Sequence, residues 1–434
     1  MTAFPQEWID SLAPLLKEEL APFLDTYSRE YTRGIRCRCI PYPKEATDEI
    51  PWADARYLPL DSTIGATVLH DAGAFYLQEP SAMIPAALLQ VRPGDKVLDL
   101  CAAPGGKSTQ LGAALQGRGL LVSNDPNADR ALVLSGNIER MGIPNAVVTS
   151  EMPDRLAKAW PNAFDRILVD APCSGEGMFR RHPETIAEWA RSSVVSCAER
   201  QLKILCSAAQ MLVPGGFLVY STCTFNRTEN DDVIAAFLSE HADFEPVPFH
   251  VEGIGDSDDG TMHIWPHRVR GEGHFAAKLK KKDSDLPKAK KSSRPAEKEK
   301  YDEARAFLAD HMQLALNGPI RKFKETLIYM QDCALPLDGL RVLRMGLHLG
   351  RMAGKAFIPD HALAMLQKSV NTYPLTDQEA VAFMAGETIS CPESVKGWLT
   401  PVYRGMQLGW AKASGGMLKN HYPKGLRRPL RPNT

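Results

Sequence analysis

Short apolar segments alternate with helix-like segments between Lys96 and Leu279, and this alternation restricts the possible fold more than any other feature of the chain. The sequence predicts strands at Lys96–Leu100, Leu120–Asn124, Ala146–Thr149, Arg166–Val169 and Phe217–Ser221. It predicts helices at Lys107–Leu115, Asn127–Met141 and Ser193–Met211. Strands that alternate with helices favour an α/β fold with a doubly wound, mostly parallel sheet. Ligands of such sheets bind beyond the carboxyl ends of the strands.

The composition is that of an ordinary globular protein, with 44% hydrophobic and 24% charged residues over 434 positions. This length predicts two or three domains. The net charge of -1 means that any nucleic-acid surface must be local. Nine scattered cysteines indicate reduced thiols and a cytoplasmic protein, and the segment Met1–Leu20 lacks the order of a signal peptide. No apolar run approaches the roughly 20 residues of a membrane span, so we expect no membrane association.

Changes of composition divide the chain into four predicted regions. Residues 1–75 form a small N-terminal accessory lobe, which begins with one amphipathic helix at Trp8–Phe23. Residues 76–280 form the sheet domain, and 281–300 form a charged linker rich in Lys, Ser, Pro and Glu. Residues 301–434 form a C-terminal globular region. Cys37 and Cys39 in the accessory lobe lack partner ligands at a matching spacing, so we expect no metal.

The stretch from Pro401 to Thr434 contains no acidic residue. Its cations and aromatic residues are interleaved, and they are Arg404, Lys412, Lys419, Lys424, Arg427, Arg428, Arg431, Tyr403, Trp410, His421 and Tyr422. Cations that neutralise phosphates beside stacking aromatic rings suit an RNA surface. A strand-rich terminal subdomain with an incidentally basic tail explains the same pattern, and the sequence leaves both interpretations open.

A loop rich in small residues follows the first predicted strand, after Asp99 and Leu100. It consists of Cys101, Ala102, Ala103, Pro104, Gly105 and Gly106, and it leads into a helix near Lys107. Small residues let a backbone approach its ligand, and free amides at the helix start attract an anionic group. The loop matches neither the dinucleotide nor the ATP-binding glycine pattern, so a zwitterionic amino-acid moiety fits better. Asp125 ends the second strand, where it could bind a ribose or cap the next helix, and the register with this loop favours the ribose.

Two cysteines follow two neighbouring strands of the predicted sheet. Cys173 lies in the segment Asp170–Gly175, and Cys223 follows Tyr220–Thr222. Because both segments lie at carboxyl ends of strands, the two thiols can face one pocket, with Asp170 above the sheet beside them. A single cysteine is more often a small buried apolar residue, but two at such positions indicate chemistry.

These motifs together resemble the Sun-type RNA cytosine-5 methyltransferases, and in particular the RsmF-type 16S ribosomal RNA enzymes. The resemblance covers most of the chain, and the combination of motifs is specific. It rests on the segments 78–82, 99–108, 170–175, 220–224, 229–230, 265–267 and 271–275. The segment Asn420–Arg427 is similar to the tail of the RsmF-type branch, which carries a PUA-like RNA-binding region.

The resemblance implies a cofactor and a role for each site residue. S-adenosylmethionine would bind the loop from Cys101 to Lys107, and Asp125 would hold its ribose. The family often has an Asp before Gly after the third strand, and the aligned position in this chain is Met152. The neighbouring Glu151 would contact the adenine instead. Asp170 would lie between cofactor and base. The segment Arg36–Arg38 departs from the Arg-x-Asn pattern of the family, so we assign it no function.

The chemistry that the resemblance implies requires a thiol. Carbon 5 of cytosine is a weak nucleophile, and addition of a thiolate to carbon 6 makes the ring an enamine that can attack a methyl donor. Cys223 would be this nucleophile, with Lys107 as the nearby positive charge that favours the thiolate. Asp170 would stabilise the adduct at ring nitrogen 3 and the exocyclic amine, and Cys173 would assist its breakdown.

The expected partner is ribosomal RNA or the small ribosomal subunit, and we expect a monomer without a metal. A transfer RNA substrate is one alternative, and another is a DNA cytosine-5 methyltransferase that uses Cys173, which the Thr222–Cys223 pair and the basic C-terminal region disfavour. A non-catalytic RNA-binding assembly factor is a further alternative. Retention of both cysteines, Lys107 and Asp170 speaks against it.

Overall fold

The computed structural model describes residues 4–284, 301–330 and 335–433. Its N-terminal segment consists of α1 (Gln6–Leu16), α2 (Leu20–Asp25), β1 (Gly34–Cys37), β2 (Arg56–Tyr57), α3 (Val68–Asp71) and β3 (Phe75–Gln78). Strand β1 pairs antiparallel with both β2 and β3. The single helix predicted at Trp8–Phe23 was wrong, because the chain leaves the helical conformation at Lys17, where φ is +50°, and resumes as α2.

The middle of the chain supplies most of the central sheet. Its elements are α4 (Ile84–Leu88), β4 (Lys96–Asp99), α5 (Gly106–Leu115), β5 (Leu120–Asn124), α6 (Ala128–Arg140), β6 (Ala146–Thr149), α7 (Pro153–Ala159), β7 (Phe164–Asp170), α8 (Arg191–Met211), β8 (Leu212–Thr222), α9 (Asp231–Glu240), β9 (Phe244–Pro246), β10 (Phe249–Val251), β11 (Gly255–Ser257), β12 (Thr261–Ile264) and β13 (His274–Lys281). Residues 285–300, most of the predicted linker, lie outside the described residues.

The C-terminal region is mostly strand. It consists of α10 (Asp302–His311), β14 (Ile320–Phe323), β15 (Thr326–Tyr329), β16 (Val342–Met345), β17 (Leu347–Ala353), β18 (Ala356–Pro359), α11 (His361–Ala364), β19 (Thr372–Pro374), α12 (Asp377–Ala385), β20 (Ile389–Ser390), β21 (Gly397–Tyr403), β22 (Met406–Gln407), β23 (Ala411–Ser414) and β24 (Met417–Asn420). Strands β14, β15, β17 and β18 form one sheet, and β19 to β24 form another.

The central sheet has the order β12-β13-β8-β7-β4-β5-β6-β16, and β9 pairs with β13. The five strands from β8 to β6 are parallel, which confirms the predicted α/β class. They are buried on both faces, and strands of this kind read as continuous apolar runs such as Leu120–Val122. The strands that follow β4 are added on one side of it as far as β6, and β7 and β8 are added on its other side, so the strand order reverses between β4 and β7. A crevice opens outside the carboxyl ends of strands at such a switch point.

An antiparallel strand flanks the five parallel strands on each side. Strand β13 pairs with β8, and β16 crosses from the C-terminal region to pair with β6. The pattern of alternating strands and helices predicted neither strand. The C-terminal region therefore extends the central sheet directly.

The N-terminal and C-terminal segments share one hydrophobic core. Ile35 and Phe75 belong to the same buried cluster as Phe383, Leu399 and Tyr422. The end of the chain also contacts the N-terminal segment, because Arg431 pairs with Thr67 and the Asn433 side chain accepts a hydrogen bond from the Leu69 amide. The two ends of the chain therefore stabilise each other.

The aromatic residues of the basic tail are mainly core residues. Tyr403 and Trp410 are each 1% exposed, and Tyr422 is 3% exposed. The interpretation in which these three rings stack on RNA bases is therefore wrong, and they pack the strand-rich subdomain instead. Among the described residues, no helix combines the length and the apolar character that crossing a membrane requires.

We predict that Phe383→Ala lowers the stability of the protein by about 3 to 5 kcal/mol, because it leaves a cavity in the core that joins the two ends of the chain. Urea unfolding followed by circular dichroism measures the change. Leu132→Ala is the matched control, since the Leu132 side chain is exposed on α6 and its removal should change stability by less than about 0.5 kcal/mol. Equal stability of the Phe383 variant and the unaltered protein would contradict the shared core.

Candidate functional site

A cavity of about 250 Å³ opens at the carboxyl ends of β4 and β7, where the order of the strands reverses. Its lining combines the predicted small-residue loop, both acidic strand ends and one lysine, and includes Asp99, Cys101, Ala102, Ala103, Pro104, Gly106, Lys107, Asp170 and Arg181. The sequence predicted a cofactor site formed by Asp170 and six of these residues, which are Cys101–Pro104, Gly106 and Lys107. In the structure all of them line the same cavity.

Side chains from other segments hold the carbonyl groups of the loop in place. Arg130 Nη2 donates to the Ala103 carbonyl over 2.9 Å, and Asn137 Nδ2 donates to the Pro104 carbonyl over 2.9 Å. Arg36 Nη2 donates to the Gly106 carbonyl over 2.8 Å. Gly105 has φ of +115°, a conformation that favours glycine. Helix α5 begins at Gly106, which lines the cavity, and the first backbone amides of a helix have no partner within it.

Asp99 is fully buried at the end of β4, and burial raises the pKa of its carboxyl group to about 7. Its Oδ2 accepts a hydrogen bond of 2.6 Å from Ser108, while Oδ1 has no hydrogen-bond partner in the part of the chain that the structure describes. A cation in the cavity would stabilise the ionised form of this carboxyl group. The cavity therefore suits a ligand with positive charge, and the sulfonium and amino groups of S-adenosylmethionine carry such charge.

Lys107 and Asp170 form the ion pair of the site, with 2.7 Å between Nζ and Oδ2. Burial opposes the charge of Lys107, but the Asp170 carboxylate outweighs it and raises the pKa of the amine. Burial likewise opposes the charge of Asp170, and Lys107 overcomes it, which holds the pKa of this carboxyl well below its usual range. Ser221 donates to Asp170 Oδ1 over 2.7 Å. Both groups are therefore ionised at neutral pH.

The two predicted cysteines lie side by side, with 3.3 Å between the Sγ atoms of Cys173 and Cys223. Both are only partly buried, as a reacting thiol requires. The hydrogen bond with Cys223, and then burial, raise the pKa of Cys173 well above its usual range. Cys173 therefore keeps its proton and can donate it in a hydrogen bond to Cys223.

Two buried glutamates fix the loops that carry these cysteines. Glu229 accepts hydrogen bonds from the Ser174 amide and hydroxyl and from the side chains of Gln201 and Asn226. Glu176 accepts from the amides of Phe225 and Asn226. Because each carboxylate spans both loops, the loops are held in one relative position. Sequence reasoning gave neither glutamate a role, although Glu229 lies in a motif of the resemblance.

Two predicted cofactor ligands have protein partners of their own. Asp125 is buried at the end of β5, where Oδ1 accepts from the Asn127 amide and Oδ2 lies 3.4 Å from Arg130. Glu151 Oε1 accepts from the Arg341 amide over 2.6 Å, and Oε2 lies 3.1 Å from Arg155. Neither lines the cavity, so the ribose and adenine contacts stay predictions. Glu151 anchors the segment that leads into β16, a contact that the sequence pattern did not reveal.

Residues with metal-ligating atoms also meet elsewhere on the molecule. Cys206, Glu240 and His241 place such atoms within 4.8 Å of one another where α8 and α9 end. This cluster joins α8 to the end of α9, and none of its three residues lines the cavity.

Comparison with protein families gives matches over most of the chain. The model described as 16S rRNA methyltransferase RsmB/F matches residues 86–280, and that of the N-terminal domain of 16S rRNA methyltransferase RsmF matches 4–80. The first C-terminal domain of RsmF rRNA methyltransferase matches 306–366, and the RsmF PUA domain matches 370–428.

Individual relatives give the same picture. The chain is 36% identical to ribosomal RNA small subunit methyltransferase F of Shewanella piezotolerans over 87% of this chain and 85% of that protein. It is 31% identical to the protein of the same name from an Enterobacter species, over 98% and 96%.

Solved structures share the fold. A methyltransferase homologue from Pyrococcus horikoshii is 25% identical with a TM-score of 0.53, over 64% of this chain and 99% of that chain. NSun6 from the same organism, solved with SFG, is 19% identical with a TM-score of 0.57, over 65% and 99%. The second similarity shows the fold alone.

We predict that Lys107→Met destabilises the protein by about 3 kcal/mol near neutral pH, because Asp170 keeps a buried charge without its cation. Urea unfolding at several pH values measures the loss. In the variant the pKa of Asp170 rises, so protonation at acidic pH removes the uncompensated charge. In the unaltered protein the same fall in pH removes the stability that the depressed pKa of Asp170 provides. The difference between the two proteins should therefore shrink as the pH falls.

The double variant Lys107→Met/Asp170→Asn is the control for this prediction, because it removes both charges and should recover most of the lost stability. A double variant as unstable as the single one would show that Lys107 acts through packing and not through its charge.

Proposed function

Because the chain belongs to the RsmF family of 16S ribosomal RNA methyltransferases, we propose that it methylates carbon 5 of a cytosine in 16S ribosomal RNA with Cys223 as the nucleophile. It is an S-adenosylmethionine-dependent ribosomal RNA methyltransferase. The observation that carries the finer proposal is the pair of thiols 3.3 Å apart beside the Lys107–Asp170 ion pair. A carboxylate and a lysine without a thiol would not allow covalent addition to the ring.

The first step uses the difference between the two thiols. The proton that Cys173 retains can form a hydrogen bond to the Cys223 sulfur, and this favours the Cys223 thiolate. The Lys107 ammonium adds positive charge in the same site. The Cys223 thiolate then forms a bond to carbon 6 of the cytosine. The π electrons of the carbon 5–carbon 6 bond shift to the carbon 4–carbon 5 bond, and those of the carbon 4–nitrogen 3 bond move onto ring nitrogen 3.

Asp170 orients the base in this proposal. Its carboxylate is about 30% exposed, so a flipped cytosine can reach it. An ionised carboxylate accepts hydrogen bonds, and the exocyclic amine of cytosine donates them. S-adenosylmethionine, when bound in the adjacent cavity by the loop from Cys101 to Gly106 and by Asp99, supplies the methyl group.

Cys173 acts at the end of the reaction. When the bond between Cys223 and carbon 6 breaks, the departing sulfur takes the electron pair of that bond and becomes a thiolate. The Cys173 thiol can donate a hydrogen bond to this thiolate and stabilise it. This contact accounts for a second cysteine at the site and for its role in adduct breakdown.

The outer regions would bind the substrate. We propose RNA binding for the N-terminal segment, residues 1–75, and for the PUA region within residues 301–434. Exposed cations such as Lys412 and Lys419, which lie opposite each other on β23 and β24, would neutralise phosphates there. The partner is ribosomal RNA or the small ribosomal subunit, and we propose that the protein acts as a monomer in the cytoplasm.

We predict that Cys223→Ala abolishes methylation and that Cys173→Ala accumulates a covalent RNA adduct, because the second variant adds the thiolate but loses the group that eases its departure. Incubation with 16S ribosomal RNA or small subunits, followed by denaturing gel electrophoresis, detects the adduct. Bisulfite sequencing of the same RNA locates 5-methylcytosine.

The matched control is Cys391→Ala, a half-buried cysteine of the C-terminal region that should methylate at the normal rate. An adduct in Cys223→Ala and none in Cys173→Ala would assign the nucleophile to Cys173, as in the DNA enzymes. Tight RNA binding without any methyl transfer by the unaltered protein would support a non-catalytic assembly factor.

A further inference from the structure

His274 is a buried titratable side chain that none of these steps uses. It begins β13, next to the carboxyl end of β8, and it is 3% exposed. Its Nδ1 lies 3.1 Å from the Gly273 carbonyl, which fixes a proton on that nitrogen. Its Nε2 has no hydrogen-bond partner in the described structure and lies 3.5 Å from Asp170 Oδ1. A buried ring nitrogen without a partner, directed at a catalytic carboxylate, requires an explanation.

The proposed reaction has a step for which the site so far lacks a proton donor. Addition of the Cys223 thiolate to carbon 6 places negative charge in the ring, and ring nitrogen 3 must take up a proton to form the neutral enamine. The pKa of Asp170 is held well below its usual range, so this group carries no proton at neutral pH. The pKa of Lys107 is raised, so its ammonium releases a proton reluctantly. A third group must hold the proton.

We propose that His274 is a positioning residue that supplies this proton through Asp170 and takes it back when the product forms. The inference rests on the proposed cytosine-5 function. In the forward step the Nε2–H bond of the imidazolium breaks as an O–H bond forms on Asp170. That O–H bond breaks as the N–H bond forms at ring nitrogen 3. The imidazole ends neutral, Asp170 ends as a carboxylate, and the charge of the thiolate is consumed in the new sulfur–carbon bond.

The return step has the same balance in reverse. When the Cys223 sulfur leaves carbon 6, the proton on ring nitrogen 3 passes to Asp170 and then to Nε2 of His274. The imidazolium is restored, and the thiolate is ready for another substrate. The proton removed from carbon 5 leaves by a separate route and does not enter this balance.

The charges around His274 suit a proton that is held and released. Oδ1 of Asp170 on β7 faces Nε2, and Lys107 on α5 pairs with Oδ2 of the same carboxylate. Asp99 on β4 lies within range of the same charges. On its own strand side, the nearby Glu272 is committed to Arg180 and to Thr32, so it does not compete for the imidazole. Asp170 is thus the carboxylate that the ring contacts.

We predict that His274→Gln lowers the single-turnover rate of methylation by about 100-fold, at the lower end of what acid–base catalysis contributes. The glutamine amide can still contact Asp170 but cannot carry a proton. The KM values for S-adenosylmethionine and RNA should change by less than about twofold, because His274 is buried and does not line the cavity. The pH profile of the rate should change its shape, since the glutamine cannot exchange a proton with Asp170.

Two further variants separate proton supply from other roles. Ser221→Ala removes the hydrogen bond that Asp170 Oδ1 accepts, so it should lower the rate but preserve the shape of the pH profile. His263→Gln is the matched control, because His263 on neighbouring β12 contacts Asp231 and should leave rate and profile unchanged. If His274→Gln does not fold by circular dichroism, His274→Asn tests the same point with a smaller side chain.

A rate and pH profile of the His274 variant equal to those of the unaltered protein would overturn this inference and leave the cytosine-5 function intact. The same holds if only the KM values change. Absence of 5-methylcytosine in the reaction of the unaltered protein would instead overturn the proposed function, and the inference with it.

Discussion

The parallel pairing of β7 with β8 is the constraint on which the site depends. Its register sets Asp170 beside Ser221, so the chain leaves both strands at the same level of the sheet. The loops that follow then run next to each other, and the two cysteines meet. A shift of one residue in this register would place Asp170 and Ser221 on opposite faces of the sheet and break the hydrogen bond between them. Glu176 and Glu229 then hold the two loops that carry these cysteines in one relative position.

The Lys107–Asp170 ion pair determines which groups in the cavity are charged. Each of the two opposite charges stabilises the other, and this attraction outweighs the effect of burial on both pKa values. Asp170 consequently carries no proton of its own at rest and can accept one. The division of labour between the cysteines has the same origin, because Cys173 gives up its proton less readily than an exposed thiol and remains a donor. The chemistry is thus set by which groups hold protons and which do not.

The sequence predicted the parallel strands and the gathering of the small-residue loop, Asp170 and the two cysteines, because these depend on local patterns. Buried strands read as apolar runs, and residues at their ends share one edge of the sheet. The antiparallel strands β13 and β16, which flank the parallel strands, were not predicted, since their pairing is decided by contacts between distant segments. The same reason explains Glu151, whose carboxylate is occupied by the Arg341 amide. Aromatic rings among cations resembled a stacking surface, but periodicity alone did not distinguish it from the core around Tyr422.

The loop beside the cavity is held by contacts that reach into the N-terminal segment, helix α6 and the C-terminal region. Packing far from the site therefore affects the position of this loop. Arg36 reaches from β1 to the Gly106 carbonyl, and burial lowers the pKa of its guanidinium to about 10, which still leaves it charged at neutral pH. Helix α6 contacts the C-terminal region through an ion pair of 2.7 Å between Glu139 and Arg344 of β16. Helix α6 also supplies Asn137, which holds the Pro104 carbonyl. The loop beside the cavity is therefore braced through β1 and through α6 to both ends of the chain, and these ends share one core. A loop braced in this way keeps its amides in position without a ligand, which reduces the ordering cost of binding one.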